Sequence, residues 1–364
     1  MSNNDYKFEP DWSHFIAPGE SILEAINDKN LSKKTFAEYM DYSYKHIYKL
    51  IEGQASITED TALRLEKVLN IPAKFWMNLE STYRGALAKK QEAEILSQNN
   101  KWLEEIPLKD MIKLNWIEKY ADKGLQIIEC LKFYGVASIE AWHKQEQDYK
   151  VAFKAYDKCN MNEVAIQTWL KRGEIEASAI HCNPFNKKKL IAYFGELRAL
   201  TLIKDPKVFL PKLKTICADC GVAVVLIQTP SQCPMGGATK WLSSNKALLM
   251  LSARGKNEGS LWFSFFHELG HILNHNKKAL FLEGNKKDFC NHSTLEYEAD
   301  NFASNILIPA KYINEMKYLK NKMEIIKFAD KIGISSGVVV GRMQHEKIIP
   351  YSYHKDLQVS YKFS

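Results

Sequence analysis

Residues 260–275 read SLWFSFFHELGHILNH, and this stretch decides the reading of the C-terminal half. It contains His267-Glu268-Leu269-Gly270-His271. On an α-helix, positions i and i+4 share a face one turn apart, so two imidazoles there reach one metal ion. Glu268 follows the first histidine and sits beside that face. From there a carboxylate takes a proton from zinc-bound water, whose pKa the metal lowers toward ~7. Phe263, Phe265, Phe266, Leu269, Ile272 and Leu273 surround the motif and predict a buried helix, where bare polar groups are costly. A zinc ion explains His267, Glu268 and His271 in such surroundings. A helix with satisfied core histidines is the plainer alternative.

Two histidines leave a zinc site incomplete, so a third ligand is required. A longer zinc motif would continue with glycine at 274 and histidine at 277, and Asn274 and Lys277 exclude it. Downstream, Leu295-Glu296-Tyr297-Glu298-Ala299-Asp300 leads into NFASNILIP. Glu296, Ala299, Asp300, Ala303 and Leu307 fall on one helical face. The small residues at 299 and 303 permit close approach to another helix, which puts Glu296 toward the metal as the third ligand. Asp300, one turn later, is placed to accept the outer N–H of a zinc-bound imidazole. Glu298 lies about 200° around the helix from Glu296 and groups with Phe302 and Asn305, away from the metal. Against this, Ser293-Thr294-Leu295-Glu296 fits a capping box that would occupy Glu296 locally. His275, two turns past His267, touches substrate or the outer shell of the site, or simply favours the C-terminal end of the helix dipole. Cys217-Ala218-Asp219-Cys220 has no second pair at metal-site spacing and reads as buried free thiols.

The other end of the chain carries a different signal. Residues 31–53 read LSKKTFAEYMDYSYKHIYKLIEG. Ser32 caps a helix through Met40 with Phe36, Ala37 and Met40 inward. Asp41-Tyr42 makes a turn, and Ser43 caps a second helix with Ile47, Leu50 and Ile51 inward, ended by Gly53. A third helix, Thr58–Leu69, follows. This helix–turn–helix fits a DNA major groove. Ser43, Tyr44, Lys45, His46, Tyr48 and Lys49 are the candidate contacts of the second helix, and Lys33, Lys34, Lys45 and Lys49 would meet phosphates. The alternative is an ordinary helical bundle with a solvated face. Residues 1–90 carry 12 basic and 13 acidic side chains, so any DNA contact depends on local placement rather than bulk charge.

Between these ends, Tyr83–Gln98 predicts a long polar helix, and residues 101–200 are helical by pattern and rich in aromatics, including Trp102, Trp116, Trp142 and Trp169. Asn183-Pro184 and the run Lys187–Lys189 break that pattern. Strands are expected at 222–227 (VAVVLI) and 247–253 (ALLMLSA), separated by a break at Gly236-Gly237. The whole chain of 364 residues has a net charge of +7 and no apolar run near the ~18 residues of a membrane helix. Its N-terminus, MSNNDYKFEP, carries acids and no apolar core, so it is no secretory signal. The seven cysteines, Cys130, Cys159, Cys182, Cys217, Cys220, Cys233 and Cys290, are odd in number and scattered, which suits a reducing cytoplasm rather than a disulfide framework.

Two family resemblances follow from these motifs. Pro18-Gly19-Glu20, the helix–turn–helix and ITEDTALRLEKVLNIPAKFWMNLESTY (57–83) resemble the HigA branch of Xre-type antitoxin and repressor domains over roughly 16–88. Asp41 stands where that family usually has glycine, a departure that aspartate's tolerance of left-handed backbone makes mild. GVAVVLI, GGATKW, WFSFFHELGHILNH, EYEADNFASNILIP and KIGISSGVVVGRMQHEKII resemble the ImmA/IrrE zinc metallopeptidase family over roughly 205–350. The second resemblance implies a cytoplasmic peptidase that cleaves repressors or antitoxins. It also implies zinc on His267, His271 and an acid of the EYEAD segment, with Glu268 as base.

The expected architecture is α+β and mainly helical: a helix–turn–helix domain over 1–95, a helical middle region over 96–203, and a zincin-like domain with a small sheet over 204–364. The expected function is a DNA-bound, zinc-dependent regulatory peptidase, a homodimer on an operator, acting on a regulatory protein and not at a membrane. The alternative is a repressor or antitoxin whose zinc fold senses or binds a toxin without turnover. The intact motif favours the enzyme, because a binder has no need of Glu268.

Overall fold

The computed structural model describes residues 17–153, 162–253, 257–277, 280–284 and 294–361. The fold is α+β and mainly helical, with one small sheet. Two compact units divide it: residues 1–100 with 120–128, and residues 101–119 with 129–364.

The first unit begins with five helices: α1 (Pro18–Asp28), α2 (Lys33–Tyr39), α3 (Tyr44–Ile51), α4 (Glu59–Leu69) and α5 (Ala73–Ser97). Three starts are fixed by the same device. The hydroxyls of Ser32, Ser43 and Thr58 accept from the backbone N–H of Thr35, His46 and Thr61, each satisfying a donor that the helix leaves over. Ile22, Ile26, Phe36, Ala37, Met40, Ile47, Leu50 and Trp76 are buried in one core. Asp41 adopts φ +56, the left-handed geometry expected of a glycine there. The polar helix read from Tyr83 begins ten residues earlier, at Ala73, where Pro72 supplies the boundary, and runs 25 residues. A Cβ on Gly19 would stand 1.8 Å from the Ile51 carbonyl oxygen, so α1 rests directly on the end of α3. Gly19→Ala should therefore cost about 1–3 kcal/mol through forced separation of the two helices. A calorimetric melt of the first unit's transition that does not move would contradict this contact.

The second unit contains α6 (Leu108–Lys113), the second half of α7 (Lys123–Tyr134), α8 (Ile139–Phe153), α9 (Glu163–Ser178), α10 (Lys187–Ala192), α11 (Phe194–Ala199) and α12 (Pro206–Asp219). The lysine run expected to break the helical pattern instead opens α10, because the Asn186 side chain caps it by accepting from the Lys189 N–H. Then come β1 (Val222–Ile227), β2 (Met235–Ser243), β3 (Lys246–Ser252), α13 (Glu258–Asn274), β4 (Phe281–Gly284), α14 (Thr294–Leu307), α15 (Ile313–Lys317), α16 (Lys322–Ile332) and α17 (Ser336–His345).

The sheet order is β1-β3-β2-β4, with β1 parallel to β3 and the other pairs antiparallel. Both faces are covered, which is why β1 reads as an unbroken apolar run. Val222 and Val224 face the larger core with α12 and α13, while Ala223, Val225 and Ile227 face α9. Gly236 and Gly237, read as a break, lie inside β2.

A clasp closes the start of α13. The Glu258 N–H donates to the Val359 carbonyl at 2.8 Å, Asn257 bridges to Ser360, and Tyr361 packs on Phe209 beside Trp262. Among the described residues, no helix is long and apolar enough to cross a membrane.

Candidate metal centre

Helix α13 starts with the Asn257 side chain accepting from the Ser260 N–H and ends at His275. Nearly the whole helix is buried, His267, Glu268 and His271 included. It meets α14 closely: a Cβ on Gly270 would stand 3.0 Å from the Phe302 ring and 3.4 Å from the Ala299 Cα. Ala299 and Ala303 are fully buried at this contact.

That approach brings three donors together. The ring nitrogens of His267 and His271 and a carboxylate oxygen of Glu296 all lie within 4.8 Å of one another. Glu296 sits 3.2 Å from His267 Nε2 and 3.4 Å from His271 Nε2. His267 Nδ1–H donates to Asp300 at 2.9 Å. His275 does not continue the helix: its backbone is extended, and its ring turns back to His271, Nδ1 to Nδ1 at 2.8 Å. His275 Nε2–H donates to Glu298 at 3.1 Å, so Glu298 meets the centre only through His275. With His275 donating to Glu298, its other nitrogen accepts from His271. His267 and His271 turn their Nε2 atoms toward each other, 3.0 Å apart, with the Glu296 carboxylate against both.

The electrostatics point the same way. Burial opposes a charged His267, yet Asp300 and Glu296, with the charges of Glu283 and Glu268, hold it well above its ordinary range. Burial lowers His271, against the pull of Glu296. Burial also works against charge on Glu296, but the two imidazoles outweigh it and hold its carboxyl down to about 2. A field that favours a proton among these atoms favours a divalent cation more, and two neutral imidazoles with a carboxylate are a zinc donor set. The residues fit the ion.

Glu268 is fully buried. Thr239 of β2 donates its hydroxyl to Glu268 Oε2 at 2.5 Å. Burial above all, with the nearby charges of Glu283 and Glu296, pushes Glu268 well above the ordinary carboxylate range, against the attraction of His267. Thr239 and Glu283 were not legible as site residues. Their one trace in the sequence is Gly237, where a Cβ would stand 2.5 Å from Glu268 Oε1 and 2.7 Å from Glu283 Oε2. Ser293, the first residue of the alternative capping box, lies outside the described residues, as do Cys159 and Cys290. Cys217 and Cys220 are free thiols, and burial pushes both up.

In the first unit, Lys34, Tyr44, Lys45, Tyr48 and Lys49 are exposed, while Lys33 and His46 are half-buried, His46 edge-on to Tyr42. The Ser43 hydroxyl is occupied as a cap. Arg64 pins the turn before α3, donating to the Met40 carbonyl at 3.0 Å and to Asp60 at 2.8 Å, and pairing with Asp41 at 3.3 Å. Nothing in the sequence reading singled out Arg64, because its partners are set by the turn's geometry.

Fold and site together define a helix–turn–helix protein whose C-terminal domain has a metallopeptidase-like fold. A helix-turn-helix family model matches residues 22–76, and the IrrE N-terminal-like domain model matches residues 224–344. The chain is 30% identical to the uncharacterized HTH-type transcriptional regulator YddM of Escherichia coli K12, over 20% of this chain and 78% of that protein. It is 31% identical to virulence-associated protein I of Dichelobacter nodosus, over 22% of this chain and 75% of that one. Among solved structures, the Pseudomonas aeruginosa antitoxin HigA with its higBA promoter is 29% identical, with a TM-score of 0.22, over 22% of this chain and 90% of that one. The chain belongs to the helix-turn-helix family and carries, in addition, an IrrE N-terminal-like domain.

Proposed function

We propose that the protein is a DNA-binding transcription regulator and a zinc-dependent peptidase that cuts a regulatory protein. The observation that carries the peptidase reading is the convergence of His267, His271 and Glu296 beside a buried, hydroxyl-bonded Glu268. These three side chains would hold the ion. Bound there, zinc supplies a Lewis acid and an acidified water. Glu268 receives the proton of the attacking water and passes it to the leaving nitrogen. Thr239 orients Glu268 by its hydroxyl, and Asp300 and the His275–Glu298 pair hold the two imidazoles with Nε2 turned inward. Functionally the chain divides, in this reading, into 1–95 for DNA, 204–364 for peptide hydrolysis and 96–203 between them. The protein works in the cytoplasm. The test is to incubate zinc-loaded protein with the product of the neighbouring gene and look for a cut. An intact partner that still binds would favour a sensor or toxin-binding module instead.

The DNA reading places Lys33, Lys34, Lys45 and Lys49 at phosphates and Ser43, Tyr44, His46 and Tyr48 along the groove, in a homodimer on an operator. Replacing Lys45 and Lys49 with alanine should weaken binding to the protein's own promoter and reduce the salt slope by up to ~2, about one per lost phosphate contact. An unchanged titration curve at two salt concentrations would remove α3 from the groove.

A further inference from the structure

The edge strand β4 reaches the metal centre through one side chain that the site's chemistry does not use. Side chains alternate along a strand, and Leu282 packs into the core shared with α9, so Phe281 points the other way, toward α13. Phe281 is 4% exposed and lies nearly parallel to the His271 ring, with centroids 4.2 Å apart and planes 18° from parallel. The His275 ring, tilted by 39°, comes within 5.2 Å of the same phenyl group. Directly across the ladder from Phe281 stands Thr239, whose hydroxyl bonds Glu268. Opposite residues of adjacent strands share a face. One cross-strand pair therefore braces both Glu268 and His271, neighbours on one side of α13.

The two imidazoles are supported differently. His267 Nδ1–H meets the Asp300 carboxylate at 2.9 Å, and a charged acceptor fixes its direction well. Phe263 stands farther from that ring, at 6.2 Å and tilted by 35°. His271 meets at Nδ1 a second imidazole, that of His275. The His275 backbone has left the helix, and its partner Glu298 is 52% exposed. This chain sets which nitrogen of His271 carries the proton. It is a softer support for the plane of the ring, because the χ2 torsion of histidine has a broad well. The Phe281 face supplies the missing constraint.

Charge adds to shape. The face of a phenyl ring carries the negative part of its quadrupole. An imidazole that ligates a divalent cation takes on part of the cation's charge, and a positively charged group within about 6 Å of an aromatic centroid is attracted to that face. The stack is therefore stronger when His271 is a ligand than when it is not. We infer that Phe281 is a positioning residue of the metal centre, which sets the plane of His271 and favours its ligated form through the negative face of the phenyl ring. Resting on the zinc reading of His267, His271 and Glu296, this role gives β4 a function in metal retention.

The test varies the ring at position 281 in full-length protein: Phe281→Tyr, Phe281→Leu, and pentafluorophenylalanine introduced by codon suppression. Tyrosine keeps the negative face, leucine removes the face, and pentafluorophenylalanine keeps the ring but reverses the sign of its face. The readouts are zinc affinity, by competition with a chromophoric chelator, and the visible absorption of the cobalt(II)-loaded protein. Neither requires turnover. Phe281→Tyr should hold zinc like the parent. Phe281→Leu should hold it about two- to tenfold more weakly, the range expected of an aromatic pair, and should shift the cobalt bands because the ring plane is released. The pentafluoro protein should be the weakest binder of the series. Were Phe281 packing alone, phenylalanine and its pentafluoro analogue would bind zinc equally. That result would overturn the inference even if Phe281→Leu did not fold, and would leave the zinc reading standing. A parent protein that takes no zinc from the chelator would overturn both.

Discussion

Glu268→Gln is expected to keep the fold and the zinc and to lower proteolysis by about 10²–10⁴-fold, the usual contribution of a positioned general base. The amide has the shape of the carboxylate and still accepts the Thr239 hydroxyl at the same oxygen. Its NH₂ would sit where Glu268 Oε1 now lacks a donor, facing the unpartnered Oε2 of Glu283. The substitution also offers a donor beside a buried, unpartnered oxygen, so the variant should be at least as stable as the parent. What it cannot do is take a proton from water. Turnover at the parental rate would show that Glu268 is not the base. Loss of zinc, measured by atomic absorption on the purified variant, would show that Glu268 serves the ion directly.

Zinc retention should depend on Glu296 far more than on Glu298. Glu296 lies within reach of both ring nitrogens, whereas Glu298, with 52% of its side chain exposed, pairs with His275. Removing a ligand carboxylate leaves the two imidazoles without their third donor. Removing Glu298 only loosens the ring that orients His271, a change that typically costs about 10–100-fold in metal affinity. After dialysis against a graded series of chelators, Glu296→Ala should lose its zinc to the weakest and Glu298→Ala only to a stronger one. Equal retention by the two variants would mean that α14 is turned the other way when the ion is bound.

The legible parts of this chain are those whose physics is local. The three hydroxyl caps of α2, α3 and α4 are written within four residues each, and the β1 run announces a strand covered on both sides. Likewise, the His267–His271 spacing and the small residues at 299 and 303 bring two helices together from sequence alone. The illegible parts depend on residues far apart in the chain. Gly236-Gly237 has the composition of a turn but lies within the first three residues of β2, where two carboxylates from α13 and β4 crowd the strand. β4 is four residues long at the sheet edge, too short to leave a period. Glu283 and Thr239 enter the site only through the register that pairs β4 with β2, where Glu283 stands opposite Gly237.

The clasp on α13 also sets an order of assembly. Glu258, at the first turn of the helix that bears His267 and His271, is bonded to Val359, 101 positions further along the chain. Domains fold as units while the chain emerges from the ribosome, N-terminal ones first. The helix–turn–helix bundle is complete long before that clasp can close. A polypeptide still in synthesis thus holds a finished helix–turn–helix unit while the helix that bears His267 and His271 is still without its anchor, so that address precedes closure within each newly made molecule.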